Sequence, residues 1–286
     1  MNEDLRKFVP NVHFELVPIK DLVSNQEYQR TLSMNHVKKA VEEFDLNQIN
    51  PIKVSRRDGA YYVFNGQHTA EIVAMASGSR DTPVWCMIYD DLEYVEEADI
   101  FANQMKNVKA LQPCEIFKAN CEAGNDKALI IKGLVESYDL KINAAATPGT
   151  IAAVSTLEKI YDRYGYNVLN RVLNLIVITW EGENKSYASN ILNGVTRLVV
   201  AYEDKLKDEV FKDKLGGMSI KELSRTAKER RAGALGYAEV MLLAYNKRNK
   251  APLIWQKLYS GAGKVIPIDR QEIEPEEERP GKVAEG

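Results

Sequence analysis

The chain has 286 residues, enough for two compact domains, since a domain typically uses about 100–200. With 45% hydrophobic and 28% charged residues it reads as globular, and 38 basic against 41 acidic side chains give a net charge of -3, which excludes a globally basic coat for nucleic acid and leaves local patches open. No apolar run approaches the roughly 20 residues of a membrane span, MNEDLRKFVP lacks a signal peptide's apolar core, and the cysteines Cys86, Cys114 and Cys121 fit neither a disulfide framework nor a zinc knuckle, so the expectation is a cytoplasmic chain with no membrane partner, reduced thiols and no structural metal.

In chain order, FELVPI, PIKVS, AYYVFN and PVWCMIY read as short β-branched or aromatic strands between Phe14 and Tyr89. SMNHVKKAVEEF brings Val37, Val41 and Phe44 to one helical face, with Ser33 or Asn35 as the cap. Asp58-Gly59 predicts a hairpin. TAEIVAMAS predicts a helix burying Ala70, Val73 and Ala76, with Gly78 just past its end.

After Asp90 the strand signal nearly stops, and helices are predicted over 94–106, 113–123, 126–138, 167–180, 187–202, 204–214, 219–232 and 236–248. Thr147-Pro148 reads as a cap and first helical residue, opening a helix through Ile151, Val154, Leu157, Ile160 and Tyr161 that closes at Tyr164-Gly165. The helices between 126 and 164 are compatible with a helix-turn-helix, although their link is longer than the usual 3–4 residues. The end, QEIEPEEERPGKVAEG, carries six glutamates against two basic residues and predicts a disordered acidic tail.

Chemistry concentrates in YYVFNGQHTA, where a strand ends in Asn65-Gly66 and turns directly into a helix at Gln67, His68 and Thr69. Glycine permits close backbone approach, and the N–H groups that open a helix carry partial positive charge suited to phosphate. Taken alone, the same letters also describe a tight turn with a polar surface histidine. A second basic cluster, Arg225, Lys228, Arg230 and Arg231 followed by Lys247, Arg248 and Lys250, lies in a stretch, 204–258, with thirteen Lys or Arg against seven Asp or Glu. Such a patch suits nucleic-acid phosphates if the two parts form one surface, and a solvated helix face otherwise. Asp90-Asp91, Glu96-Glu97 and Asp99 read as the charged first turn of a helix. With only His13, His36 and His68 there is no HNH-like cluster, and no P-loop or zinc-protease motif occurs.

The order of Asn25-Gln26-Glu27-Tyr28-Gln29-Arg30, a capped helix, Pro51-Ile52-Lys53-Val54 and the Gly66 turn resembles the N-terminal domain of the ParB/sulfiredoxin superfamily. Asn25 and Arg30 match its N-P-x-Q-P-R box, and Gly66 the glycine of its G-E-R-R box; Gln67-His68 looks most like the D-G-Q-H-R variant, and the chain resembles phage and mobile-element ParB-like proteins. Phe101-Ala102-Asn103-Gln104 and Leu111-Gln112-Pro113-Cys114-Glu115 are similar to the helical box that follows, with Ala102 where many ParB proteins carry an acid. The resemblance implies an α+β N-terminal domain with an all-helical domain behind it, and a nucleoside triphosphate with Mg2+ held by Asn25, Arg30, Asn65, Gly66, Gln67, His68, Thr69 and Asn103. It also implies association with DNA. Gln67 replaces the sulfiredoxin cysteine, so sulfinic acid reduction is excluded. Thr69 and Glu71 stand where two ParB arginines would lie, each worth about 1.5–3 kcal/mol toward a phosphate.

The expected organisation is an α+β domain over 1–92, a helical connection over 93–125, a helical domain over 126–262 and the tail over 263–286. The expected function is a DNA-associated protein with a nucleotide or phosphate ligand at Gly66-Gln67-His68. An NTPase or nuclease using the same pocket, a non-enzymatic protein adaptor and a homodimeric state stay open. Arg30 should face the turn, and Gly66→Val should block ligand access through its side chain.

Overall fold

The computed structural model describes residues 7, 9–24, 27–90, 92–107, 110–145, 147–180, 183 and 185–260. Contacts divide the chain into two units, 1–110 and 111–286. The segment 93–125 is thereby split: its first helix belongs to the first unit and its second to the other. Among the described residues no helix is long and apolar enough to cross a membrane.

The first unit is a five-stranded mixed sheet in the order β1-β5-β3-β4-β2, from β1 (His13–Pro18), β2 (Leu22–Ser24), β3 (Ile52–Arg57), β4 (Ala60–Asn65) and β5 (Pro83–Tyr89). The predicted hairpin forms: β3 and β4 are antiparallel, and Asp58 and Gly59 turn the chain with φ of 51° and 76°, the two positive values a type I′ turn requires. β2, too short to signal itself in sequence, pairs in parallel with β4.

Period-2 alternation sends Val17, Ile52, Val54, Val63, Val84, Cys86 and Ile88 into one buried cluster. Ala70, Val73 and Ala74 of α2 (Gln67–Ser77) join it; Ala76 is exposed, because i, i+3, i+4 is the helical stripe and i+6 falls outside it. α1 (Met34–Glu42) begins at Ser33, whose Oγ accepts the His36 N–H at 3.4 Å, and buries Val37. α3 (Tyr94–Asn107) packs against β4.

The second unit is almost wholly helical: α4 (Pro113–Glu122), α5 (Asp126–Glu136), α6 (Val154–Trp180), α7 (Ser189–Tyr202), α8 (Asp208–Leu215), α9 (Ile220–Arg230), α10 (Ala234–Asn246) and α11 (Lys257–Ser260). α7 packs against both α6 and α10, with Gly194 at the crossing, where an added Cβ would stand 3.0 Å from Cβ of Tyr237. Gly165 breaks α6 with φ 78° and ψ -178°, the helix end expected after Tyr164.

The helix expected to open at Thr147-Pro148 does not form. Gly149 has φ 73°, and Thr150 Oγ1 donates to the carbonyls of Ala145 and Thr147 at 2.7 and 2.8 Å, closing a turn instead. Thr150–Ile151 then forms β7, parallel to β6 (Lys141–Ile142), and the helix begins only at Val154. Residues 137–153 therefore join α5 to α6 through a small ladder, which is not the tight turn of a helix-turn-helix. The acidic tail lies outside the described residues.

Candidate functional site

Gly66 ends β4 and is the N-cap of α2, with φ 107° and ψ 15°. That left-handed conformation suits glycine, and an added Cβ would lie 3.3 Å from Cα, Cγ1 and Cγ2 of Ile52. The expectation that a valine there would plug the pocket is thus corrected: its side chain would press into β3, on the core side. The first N–H groups of a helix have no intrahelical acceptor, and Gly66 offers no side chain to supply one.

Before this turn lies a cleft of about 480 Å³, lined by Gln29, Arg30, Thr31, Ser33, His36, Phe64, Asn65, Gly66, Gln67, His68, Thr69 and Phe101. Among the described residues no Asp or Glu lines it. Arg30, Asn65, Gly66, Gln67, His68 and Thr69 are brought together as the sequence anticipates. Asn103 is exposed on α3 and does not line the cleft, where its neighbour Phe101 does; Asn25 lies outside the described residues.

Two glutamines hold the Arg30 loop in place. Ser24 Oγ donates to Oε1 of Gln29 at 3.2 Å and of Gln67 at 3.1 Å, Gln29 Nε2 donates to the Val63 carbonyl, and Gln67 Nε2 donates to the Arg30 carbonyl. Gln67 is therefore a positioning residue for the loop as well as part of the wall. Asn65 Nδ2 donates to Gln104 Oε1 at 3.1 Å, which ties the end of β4 to α3.

His68 Nε2 accepts the Ser33 N–H at 3.2 Å, and its ring meets that of His36 edge-on at 5.6 Å. Burial, and then the charges of His36 and Arg30, hold its pKa below the ordinary histidine value. In this arrangement the imidazole is neutral, with the lone pair of Nε2 occupied by Ser33, which leaves it a poor general base at that atom.

Glu97 stands in the charged first turn of α3 that the sequence predicts, and there it is fully buried. Arg57 Nε binds Glu97 Oε1 at 2.7 Å and Tyr28 OH donates to Oε2 at 3.2 Å. Burial, followed by the nearby Glu97 charge, pushes the Tyr28 phenol up to about 12, so it stays a donor at neutral pH. Tyr28 also packs on Tyr94 and Phe101, with ring centroids 5.5 and 5.8 Å away. Glu71, which stands in an arginine's place in the resembled motif, is drawn to Arg80 by two bonds of 2.9 and 3.0 Å.

The lining supplies neutral amide and hydroxyl oxygens but no carboxylate. Mg2+ is ordinarily held through one or two carboxylates together with substrate phosphates, so these residues do not fit a protein-held Mg2+.

In the second unit, Arg225, Lys228, Lys247, Arg248 and Lys250 are exposed. Arg230 Nε binds Glu239 Oε2 at 2.6 Å and its guanidinium lies 5.2 Å from the Trp255 ring, while Arg231 stands 3.7 Å from the same carboxylate. Arg230 and Arg231 thus neutralise a buried acid that the local sequence does not announce. In the chain α10 separates the two groups, with Arg230-Arg231 before it and Lys247–Lys250 after it.

Fold and site together define an α+β sheet unit with a cleft at a helix N-terminus that no carboxylate lines among the described residues, followed in the chain by a helical unit. The chain belongs to a family described as a family of unknown function (DUF6551), whose model matches residues 23–254. Among curated proteins none matches. Two solved structures of the C-terminally truncated chromosome-partitioning protein ParB from Caulobacter crescentus are similar to it. The complex with CTP-gamma-S is 15% identical, with 80% of this chain and 99% of that one covered, at a TM-score of 0.34. The complex with the centromeric parS site is 14% identical, with 79% and 98% covered, at a TM-score of 0.25.

Proposed function

We propose that this protein binds a nucleotide by its phosphates at the Gly66 cleft and works in association with DNA, as a ParB-like protein of the phage or mobile-element kind. The observation that carries the ligand is the joining of the α2 N-terminus, Arg30 and two histidines in a cleft lined by no carboxylate. Helix-end N–H groups and a guanidinium both favour a phosphate anion, and Phe101 gives one wall an apolar surface for a base or sugar. Charge on the ligand is met by protein donors rather than by a protein-held metal.

A thermal-shift panel of nucleoside mono-, di- and triphosphates, with and without magnesium, tests this. Ligand at 100 times its Kd should add about 2.7 kcal/mol to stability. Arg30→Gln should abolish the shift, and no response to any nucleotide, checked by calorimetry, would overturn the reading.

One observation favours a second reading, a protein-contact role. Phe14 and Leu16 on β1 and Trp85 on β5 share a sheet face, Leu16 directly opposite Trp85, and are 53%, 51% and 55% exposed. If a second copy covers this face, sedimentation should show a dimer that Leu16→Ser/Trp85→Ser dissociates; a monomer at all concentrations removes the dimer.

A further inference from the structure

The helical unit holds a second cavity, of about 320 Å³, whose lining includes Lys159, Arg163, Tyr164, Asn193 and Arg197. Three of its lining side chains are cationic, and among the described residues none that lines it is acidic. Lys159 and Arg163 lie four residues apart on α6 and so share one face, a spacing at which like charges weaken a helix rather than support it. Arg163 sits two residues before the break at Gly165, where the helix end favours a cation. That accounts for Arg163 alone, not for Lys159 one turn earlier or for Arg197 on α7.

Several cations of this unit are neutralised in place, Lys127 by Asp162 at 3.1 Å, Arg171 by Asp208 at 2.7 Å and Arg230 by Glu239 at 2.6 Å, while exposed ones such as Arg225 and Lys228 stand apart on the surface. Among the described residues no carboxylate pairs with Lys159 or Arg197. Arg197 Nε donates to the Leu258 carbonyl at 2.9 Å. This bond fixes the guanidinium plane and leaves both terminal nitrogens for a further acceptor. A planar donor fork held by its own backbone contact, with two more positive charges around one cavity, is how proteins receive phosphate oxygens. The volume lies at the lower end of small-ligand pockets, with room for a phosphate ester rather than a bare ion.

We propose that this cavity binds a phosphate group, borne by a small phosphate ester or by a nucleic-acid strand, with Arg197 as the oriented fork and Lys159 and Arg163 as supporting charges. The site is independent of the Gly66 cleft.

The test uses the full chain in an Arg30→Gln background, so that phosphate binding at the Gly66 cleft does not contribute. Lys159→Gln/Arg163→Gln is compared with Lys205→Gln/Lys221→Gln, which removes the same charge from exposed positions elsewhere in the unit. Calorimetry with pyrophosphate and fluorescence anisotropy with a short labelled DNA duplex are the two readouts. The cavity variant should lose tenfold or more in affinity for at least one probe while the control changes less than threefold. Loss with pyrophosphate identifies the small ester, and loss with the duplex alone identifies the strand. Arg197→Lys, which keeps the charge and loses the fork, should weaken the same probe. If the double variant melts early, Lys159→Gln alone, at an exposed position, carries the comparison. Equal losses in cavity and control variants, no loss in either, or no binding of both probes by the background protein would overturn the proposal.

Discussion

Ser33 joins two helices: its hydroxyl caps α1, and its own N–H donates to Nε2 of His68 in the first turn of α2 at 3.2 Å. A protonated imidazole has no lone pair to accept that bond, and its charge would be opposed by the neighbouring Arg30 guanidinium.

The first prediction is a loss of stability in mild acid. His68 is held below its ordinary value near 6.5, so the unfolded chain takes up this proton more readily than the folded one. Stability therefore rises with pH between the folded value and 6.5, and it falls as pH drops through that window. Urea midpoints at about pH 7.5 and about pH 5.5 measure the difference between the two conditions. His68→Gln, whose amide oxygen still accepts from Ser33, should narrow it; an undiminished difference would assign the titration to another group.

A second prediction concerns Gly66→Ala. A Cβ at φ 107°, 3.3 Å from three atoms of Ile52, should destabilise the first unit by about 1–3 kcal/mol in denaturant titration. The strain lies at the junction of β4 and α2, so nucleotide affinity should fall even where the variant is fully folded. A variant as stable as the parent would show that the turn relaxes without loss.

The turn at Gly66 was legible because its letters act locally: glycine for a positive φ, then a helical stripe. The hairpin at Asp58-Gly59 and the cap at Ser33 were legible for the same reason. What was missed depends on distant partners. Glu97 looks like any acid in a helix's first turn until β3 brings Arg57 to it, and Arg230 looks like part of a surface patch until α10 presents Glu239. Phe101 and His36 enter the cleft because of how α3 and α1 pack on the sheet unit, which no local spacing encodes. Thr147-Pro148 misled because cap and turn use the same residues, and Gly149 with the Thr150 hydroxyl decided for the turn.

Arg57→Met should separate structural from ligand effects in the first unit. It leaves the Glu97 carboxylate buried with, among the described residues, Tyr28 as its remaining side-chain donor, and removing one partner of a buried pair typically destabilises by on the order of 3 kcal/mol. Arg57→Met/Glu97→Leu, which removes both charges, should recover much of that loss. A single variant of unchanged stability would mean that Glu97 is protonated or solvated once Arg57 is gone.

The last prediction divides the basic residues of the second unit by task. Burial pushes the Glu239 carboxyl up, but bonds from Tyr259 and Arg230, with the charge of Arg231, outweigh it and hold its pKa below the ordinary value. The stability this contributes is present above about pH 4.5 and is lost as pH falls toward the folded value. Arg230→Gln should therefore lower stability by about 1.5–3 kcal/mol at neutral pH. Arg225→Gln/Lys228→Gln alters two exposed side chains that pair with no carboxylate among the described residues and should leave the melting temperature unchanged. If these two contact DNA phosphates, their removal should weaken binding to all sequences alike and reduce the slope of log affinity against log salt by about 2. A melting temperature unmoved by Arg230→Gln would remove its structural role, and a salt slope unmoved by the double variant would assign Arg225 and Lys228 to solvation.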